Sequence, residues 1–117
     1  PADTPSLQAS LVQADYTVTV ETDLPRPELT TRIEALLHAE RLMQTRIRRG
    51  REERFDLRPL LHTLSVQERT DGHAVLTMRL AAGSRGNLRP DAVLEALGLR
   101  RAGKQIERTK LHFAFDR

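Results

Sequence analysis

The chain has 117 residues, carries a net charge of +3 and contains no cysteine. The length fits one domain with a real core. The lack of cysteine excludes disulfides, iron–sulfur ligation and cysteine nucleophiles from this chain. No apolar run approaches the ~18 residues of a membrane span, and no signal peptide is recognisable. We therefore expect a cytoplasmic protein with no membrane partner.

The first elements in chain order are an arm, a strand and a helix. Residues 1–14 are polar and hold two prolines, which predicts a linker or entry arm ahead of one domain at 15–117. The opening PADTPSLQ resembles a position inside a longer protein, so we expect this chain to be a fragment of one. DYTVTVE has the period-two pattern of a half-buried strand. Pro27 suits the first turn of a helix over 27–41, with a one-sided apolar stripe at Leu29, Ile33, Leu36 and Leu37.

The next segment, MQTRIRRGREERFDLR, predicts a hairpin over about 43–58 that turns at Gly50. We expect one apolar face, with Met43, Thr45 and Ile47 on the first strand and Phe55 and Leu57 on the second. We expect the other face to carry Arg46, Arg48, Arg54 and Arg58. Six Arg stand against three acids from 46 to 58, and two interpretations stay open. The arginines either follow a phosphate backbone or pair across strands with Glu52, Glu53 and Asp56.

A second hairpin, a helix and a last strand follow. Asp71-Gly72 is a turn signal between two alternating runs. Pro90 starts a short helix, with Val93, Leu94 and Leu97 buried, and Gly98 ends it. KQIERTKLHFAF predicts the last strand. The order predicts an α+β, ferredoxin-like β-α-β-β-α-β fold: an antiparallel sheet with two helices on one face and the 43–58 hairpin inserted.

The loop GSRGNLRPD before the second helix also has two interpretations. Its glycines allow backbone N–H groups to approach an anion at a helix N-terminus, and Arg85 and Arg89 would add charge-assisted bonds. Alternatively Gly83 and Gly86 only turn the chain, Asn87 caps it locally and the arginines are solvated or paired.

No catalytic or metal site is predicted. The four histidines, at 38, 62, 73 and 112, have no metal-ligand spacing, and no nucleophile motif or acid–base carboxylate pair stands out. A third basic cluster lies near the C-terminus, comprising Arg100, Arg101, Lys104, Arg108 and Lys110. Helix-dipole compensation suffices to explain its first two members.

Two segments, RFDLRPLLHTL and GSRGNLRPDAVLEALGL, together resemble a known family. They are similar to the C-terminal half of the radical-SAM-associated domain of unknown function. PSLQASLVQADYTVTV is similar to the family's link between its halves. The resemblance implies a bacterial accessory protein, fused to or encoded beside radical SAM proteins. It further implies that S-adenosylmethionine and an iron–sulfur cluster are bound by a partner domain or chain, with no cofactor in this one.

Two hypotheses for function follow. The first is a non-catalytic module that recognises substrate or docks a partner for a radical SAM enzyme, with RNA as the favoured substrate. The residues expected to contact phosphates or anions are Arg46, Arg48, Arg49, Arg54, Arg58, Arg85, Asn87 and Arg89. The second is a protein–protein docking module that uses the apolar hairpin face. Convergence of the hairpin and loop arginines on one concave surface would favour RNA.

Overall fold

A computed structural model of the chain describes residues 8–99 and 102–116. The element order matches the predicted order, with the hairpin inserted between the first helix and the second sheet strand. The elements are β1 (Gln8–Glu21), α1 (Arg26–His38), β2 (Met43–Arg48), β3 (Arg51–Asp56), a 3-10 turn (Arg58–Leu60), β4 (Leu61–Thr70), β5 (His73–Ala81), α2 (Pro90–Ala96) and β6 (Lys104–Asp116).

Four strands form one antiparallel sheet in the order β4-β5-β1-β6. This order, with α1 and α2 as its connections, is compatible with a ferredoxin-like fold, so the predicted α+β class is confirmed. The β2–β3 hairpin forms a separate two-stranded sheet. It therefore stands beside the main sheet as a wall rather than extending it.

The core lies on one face of the main sheet, under both helices. Alternate residues of β1, β4 and β5 point towards α1 and α2, as the period-two pattern of these strands predicts. The stripe predicted on α1 packs there, with Leu29, Ile33 and Leu36 buried, and so does that of α2. The core is almost wholly aliphatic, because the sequence offers few aromatic rings.

The structure corrects the predicted start of the domain. Strand β1 begins at Gln8, and its first residues pair with the end of β6, from Gln8 opposite Asp116. The arm predicted at 1–14 is therefore wrong for residues 8–14, since a polar sequence can still form a strand when a neighbour satisfies its backbone. Residues 1–7 lie outside the described residues. Helix α1 also ends at His38, three residues before the predicted 41.

Both predicted glycine positions at element ends are confirmed. Gly72 has φ +77° in the two-residue turn that joins Thr70 to His73. Gly98 has φ +77° just after α2, with its N–H bonded to the carbonyl of Glu95 and the N–H of Leu99 bonded to that of Leu94. These two bonds form a Schellman motif, which satisfies the carbonyls at the end of the helix.

Within the described ranges no helix has the length and apolarity to cross a bilayer.

Candidate nucleic-acid interface

The turn of the β2–β3 hairpin fixes which side chains share a face. Arg49 (φ 53°) and Gly50 (φ 76°) are both left-handed, as a two-residue type I′ turn requires. The loop pairs Arg48 with Arg51, so every even-numbered residue of β2 stands opposite an odd-numbered residue of β3. Because directly opposite residues share a face in an antiparallel pair, this register decides the chemistry of both surfaces.

The apolar hairpin face predicted from the sequence does not exist as a unit. Phe55 pairs with Gln44, so it lies on the face opposite to that of Met43 and Ile47. Leu57 follows the hairpin and is fully buried in the main core. Ile47 is 70% exposed and stands opposite Glu52. The predicted face was wrong because it assumed a register that a two-residue turn forbids.

The same register divides the predicted arginine face. Arg46 and Arg48 share one face with Phe55, whereas Arg54 lies on the other, opposite Thr45. Arg58 has a structural role: its guanidinium donates to the carbonyls of Leu61 at 2.8 Å and Leu37 at 2.9 Å. The sequence prediction placed these arginines together, and the structure corrects it for Arg54 and Arg58. Arg49 lies at the tip of the turn.

In the loop between β5 and α2, the glycines turn the chain and the arginine side chains are exposed. Gly83 has φ +115°, and a Cβ there would collide with the carbonyl of Leu11. Gly86 lacks a positive φ; its Cβ position is instead crowded by Leu60, at 2.9 Å. The N-cap of α2 is Arg89, with no side-chain cap bond, so the capping role expected of Asn87 is wrong.

Helix α2 does not provide the predicted anion site by itself. It has seven residues, too few to sum a strong macrodipole. The available positive charge comes instead from the loop side chains. Arg85 and Arg89 are exposed, and in the part of the chain that the structure describes neither guanidinium has a hydrogen-bond or ion-pair partner.

The hairpin and the loop enclose one open cleft of about 940 Å³. The cations of both elements line it together with polar side chains and the half-buried ring of Phe55. Its principal lining residues are Gln44, Arg46, Arg48, Phe55, Arg85, Asn87, Arg89, Asp91 and Lys104. Of the eight residues predicted to bind an anion, Arg46, Arg48, Arg85, Asn87 and Arg89 thus meet in this cleft, and Arg49, Arg54 and Arg58 do not line it.

Two side chains fix the hairpin against the loop and α2. Gln44 donates from its amide to the carbonyl of Ala92 at 2.7 Å. Arg46 donates to the carbonyl of Asn87 at 3.5 Å and lies 3.5 Å from Glu53. Its guanidinium also stacks 4.2 Å above the centre of the Phe55 ring, a favourable cation–π geometry. Arg46 therefore supports the wall of the cleft.

The electrostatic balance of the cleft is positive. Among the described residues, five cationic side chains line it (Arg46, Arg48, Arg85, Arg89 and Lys104), against the three acids Asp56, Asp91 and Glu95. Two of the acids are satisfied internally. Asp91 lies 3.4 Å from Lys104. The pKa of Asp56 is held below its usual value because the backbone N–H groups of Leu42 and Arg58 donate to its carboxylate.

The cations differ in how strongly the protein engages them. The Arg48 side chain is 62% exposed, and its nearest contact with the Glu53 carboxylate is as long as 3.9 Å. Such an exposed ion pair is weak. Together with Arg85 and Arg89, Arg48 forms the set that an incoming anion can reach without breaking a strong contact. We call Arg48, Arg85 and Arg89 the accessible trio.

Gln44 and Lys104 line the cleft but were not among the residues predicted for the site. Gln44 carries no charge and no motif, so nothing in the sequence distinguished it. Lys104 was noted only as part of the third basic cluster, and sheet topology, invisible in the sequence, brings the start of β6 beside α2. Arg108 and Lys110 of that cluster lie further along β6 and outside the cleft, while Arg100 and Arg101 fall outside the described residues.

The open face of the main sheet has a different chemistry. It carries short polar and charged side chains, including Thr17, Ser65, Thr77, Arg79 and Lys110, in register across the four strands. The described residues of this face include no Phe, Tyr or Trp, so it offers no aromatic platform for bases. Over the same residues, no three His, Asp or Glu side chains gather in a way that could hold a metal ion.

Comparison with known proteins gives one match. The model of a family described as uncharacterized protein conserved in bacteria (DUF2344) matches residues 1–90 of the 117. That range contains β1 to β5 with α1, and the loop that follows β5, so it includes all three residues of the accessible trio. No curated protein and no solved structure is significantly similar to this chain.

Proposed function

The chain belongs to this family of uncharacterized bacterial proteins, and we propose that it is a non-catalytic accessory module that binds RNA through the arginine-lined cleft. The supporting observation is the convergence of Arg48 from the hairpin with Arg85 and Arg89 from the loop on one concave surface. Separate elements supply these cations, so their convergence is a property of the fold and not of a run in the sequence.

The chemistry of the cleft favours a phosphate backbone as its ligand. Guanidinium groups bind phosphate oxygens with charge-assisted, bidentate hydrogen bonds. Phe55 is the one aromatic residue among the described residues of the cleft, and Arg46 already stacks against it. Contacts to phosphates position a nucleic acid without reading its bases. The proposed module therefore holds RNA with little sequence preference, and any selectivity for a particular base lies with a partner.

The proposed setting is a cytoplasmic radical SAM enzyme system. This part of the proposal rests on the family resemblance of the segments RFDLRPLLHTL and GSRGNLRPDAVLEALGL. S-adenosylmethionine and an iron–sulfur cluster would be bound by a partner domain or chain. This chain contains no cysteine and so has no thiolates for such a cluster. Its own contribution would be to hold the RNA while the partner carries out the reaction.

The test is binding of a labelled single-stranded RNA of about 12 nucleotides, within the range of common single-strand sites, measured by fluorescence anisotropy at several salt concentrations. Each phosphate contact adds about 0.7 to the slope of log affinity against log salt for single strands. The variant R85A/R89A should therefore bind more weakly and lower the slope by about 1.4. R48A should lower the slope by about 0.7.

Arg54 provides the matched control, because it is an arginine of the same hairpin on the opposite face. R54A should bind RNA like the unchanged protein. Equal losses in R48A and R54A would place the binding outside the cleft. Binding that ignores salt would argue against phosphate contacts. Failure to bind RNA, together with salt-dependent binding of an acidic peptide, would favour the protein-docking alternative.

A further inference from the structure

Strand β6 presents a long free edge. It pairs with β1 on one side, and within the described residues no strand pairs with its other side. Among the described residues, the core beneath the helices includes side chains of β1, β4 and β5 but none of β6, so the helix side of β6 is open beyond Lys104, which lies against Asp91 of α2. Four apolar side chains are exposed there: Ile106 (37%), Leu111 (38%), Phe113 (50%) and Phe115 (65%). A free edge with an apolar face is a surface for adding another strand.

A bulge in the middle of β6 changes which residues share a face. Tyr16 pairs with Arg108 and Asp15 pairs with Lys110, which leaves Thr109 as an extra residue. Before the bulge the even-numbered residues point to the helix side, and after it the odd-numbered residues do. Ile106 and Leu111 consequently share the helix side, opposite Val18 and Ala14. Glu107 and Lys110 share the open side, opposite Thr17 and Asp15.

We propose that β6 pairs antiparallel with β6 of a second copy of this chain, about a two-fold axis between Arg108 and Thr109. In this register Glu107 of each copy lies opposite Lys110 of the other, and Ile106 lies opposite Leu111. The two residues of each pair lie on the same face of the sheet, because the bulge between them has reversed the alternation. The first pair is complementary in charge, and both residues of the second pair are apolar. A two-fold axis repeats each pair, as an isologous interface requires.

The charge pairs select the partner and the register. Sliding the two strands by two residues would place Glu107 opposite His112 and Arg108 opposite Leu111, and both reciprocal ion pairs would be lost. The chosen register gives two ion pairs and two apolar pairs for each dimer. An edge that is complementary to itself in this way fits a second copy of the same chain. The product is a continuous sheet of eight strands, four from each copy.

Charge reversal tests this pairing by sedimentation velocity over a range of protein concentrations. The unchanged chain should dimerise reversibly. E107K and K110E should each weaken the dimer at least about ten-fold, since each places like charges directly opposite one another twice. The double variant E107K/K110E should dimerise again, because it restores both pairs with exchanged signs.

Mixing the two single variants gives the sharpest result. A chain with Lys at 107 and Lys at 110 complements one with Glu at both positions, so E107K and K110E should form a heterodimer although each alone is monomeric. E68K, the same charge change on the opposite edge strand β4, is the control and should leave the dimer intact. A monomeric unchanged chain at 200 μM (about ten-fold above ordinary assay concentrations), dimeric single variants, or a mixture without heterodimer would each overturn the proposal. None of these substitutions touches the arginine-lined cleft, so failure here leaves the RNA proposal standing.

Discussion

Asp15 is the most strongly engaged carboxylate on the open face of the sheet. It accepts hydrogen bonds from Arg79 at 2.8 and 3.3 Å. Nε2 of His112 lies 3.0 Å from one carboxylate oxygen, although the angle of that contact is poor for a hydrogen bond. The Arg79 bonds, opposed by partial burial and assisted by His112, lower the pKa of Asp15 from 3.8 to about 2. Three strands are thus joined through one carboxylate.

This lowered pKa predicts a loss of stability in acid. A carboxyl whose pKa is lower in the folded than in the unfolded state stabilises the fold above the unfolded value and loses that contribution as pH falls towards the folded value. The stabilisation from Asp15 is therefore complete above about pH 5, falls as the pH is lowered and is mostly lost at about pH 2. D15N should lower the free energy of unfolding by about 1 to 2 kcal/mol at pH 7 and hardly at all at pH 2. Urea unfolding at both pH values measures the difference.

The control is E34Q, an exposed acid on α1, which should change stability little at either pH. A loss in D15N that is equally large at pH 7 and pH 2 would contradict the ionised carboxylate as its origin.

Gly83 allows a second prediction at the residue scale. Its φ of +115° is open to glycine alone, and a Cβ would meet the Leu11 carbonyl. G83A should therefore lower the free energy of unfolding by at least about 2 kcal/mol. G72A is the matched control: its φ is also positive, but its Cβ would meet open space, so it should cost only about 1 kcal/mol. Equal losses in the two variants would show that the collision with Leu11 is relieved by small movements.

At the scale of elements, the hairpin shows which structural features the sequence could predict and which it could not. Its strands and its turn followed from alternation and from Gly50, and both are confirmed. Its faces did not follow, because they depend on whether the turn has an even or an odd number of residues. Arg49 carries no sign in the sequence that it adopts a left-handed conformation, yet that conformation makes the turn two residues long. One residue of loop length thus decided whether Phe55 joined Ile47 or Arg46.

Arg58 gives the element-scale prediction. Its two hydrogen bonds join the carbonyl of Leu37 in α1 to that of Leu61 at the start of β4. R58A should lower the free energy of unfolding by about 1.5 to 3 kcal/mol, since bonds from a charged donor to partly buried carbonyls are lost. R54A, an exposed arginine four residues earlier, should change it by less than about 0.5 kcal/mol. Thermal and urea unfolding of both variants compare these values.

RNA binding separates the structural role from the proposed functional one. R58A should retain the RNA affinity and salt slope of the unchanged chain at temperatures where it is folded. A reduced salt slope in R58A would return Arg58 to the set of phosphate contacts.

At the scale of the whole molecule, the candidate site depends on topology that local patterns do not contain. Arg48 and Arg89 are far apart in the chain. Each belongs to a segment that, taken alone, could equally form an ordinary solvent-exposed surface with no binding role. They meet because β2 and β3 do not join the main sheet and instead stand beside α2, where Gln44 bonds to Ala92. Composition and motifs identified the basic segments, but only the packing of the hairpin brought them to one cleft.

The same architecture predicts an uneven distribution of local stability. Strands β1 and β5 are central, with partners on both sides, and most of their helix-facing residues are fully buried. The hairpin is a two-stranded sheet, a form that is marginal in isolation, and it depends on a few contacts with the loop and α2. Amide hydrogen exchange should therefore be slowest in β1 and β5 and much faster in β2 and β3, which open locally without global unfolding.

Saturating RNA should slow exchange in β2 and in the 83–89 loop, because the proposed ligand bridges them, and should leave β4 unchanged. Protection of the hairpin equal to that of β5 in the free protein would show that the cleft is a rigid part of the core, and an RNA effect confined to β4 or β6 would place the ligand elsewhere.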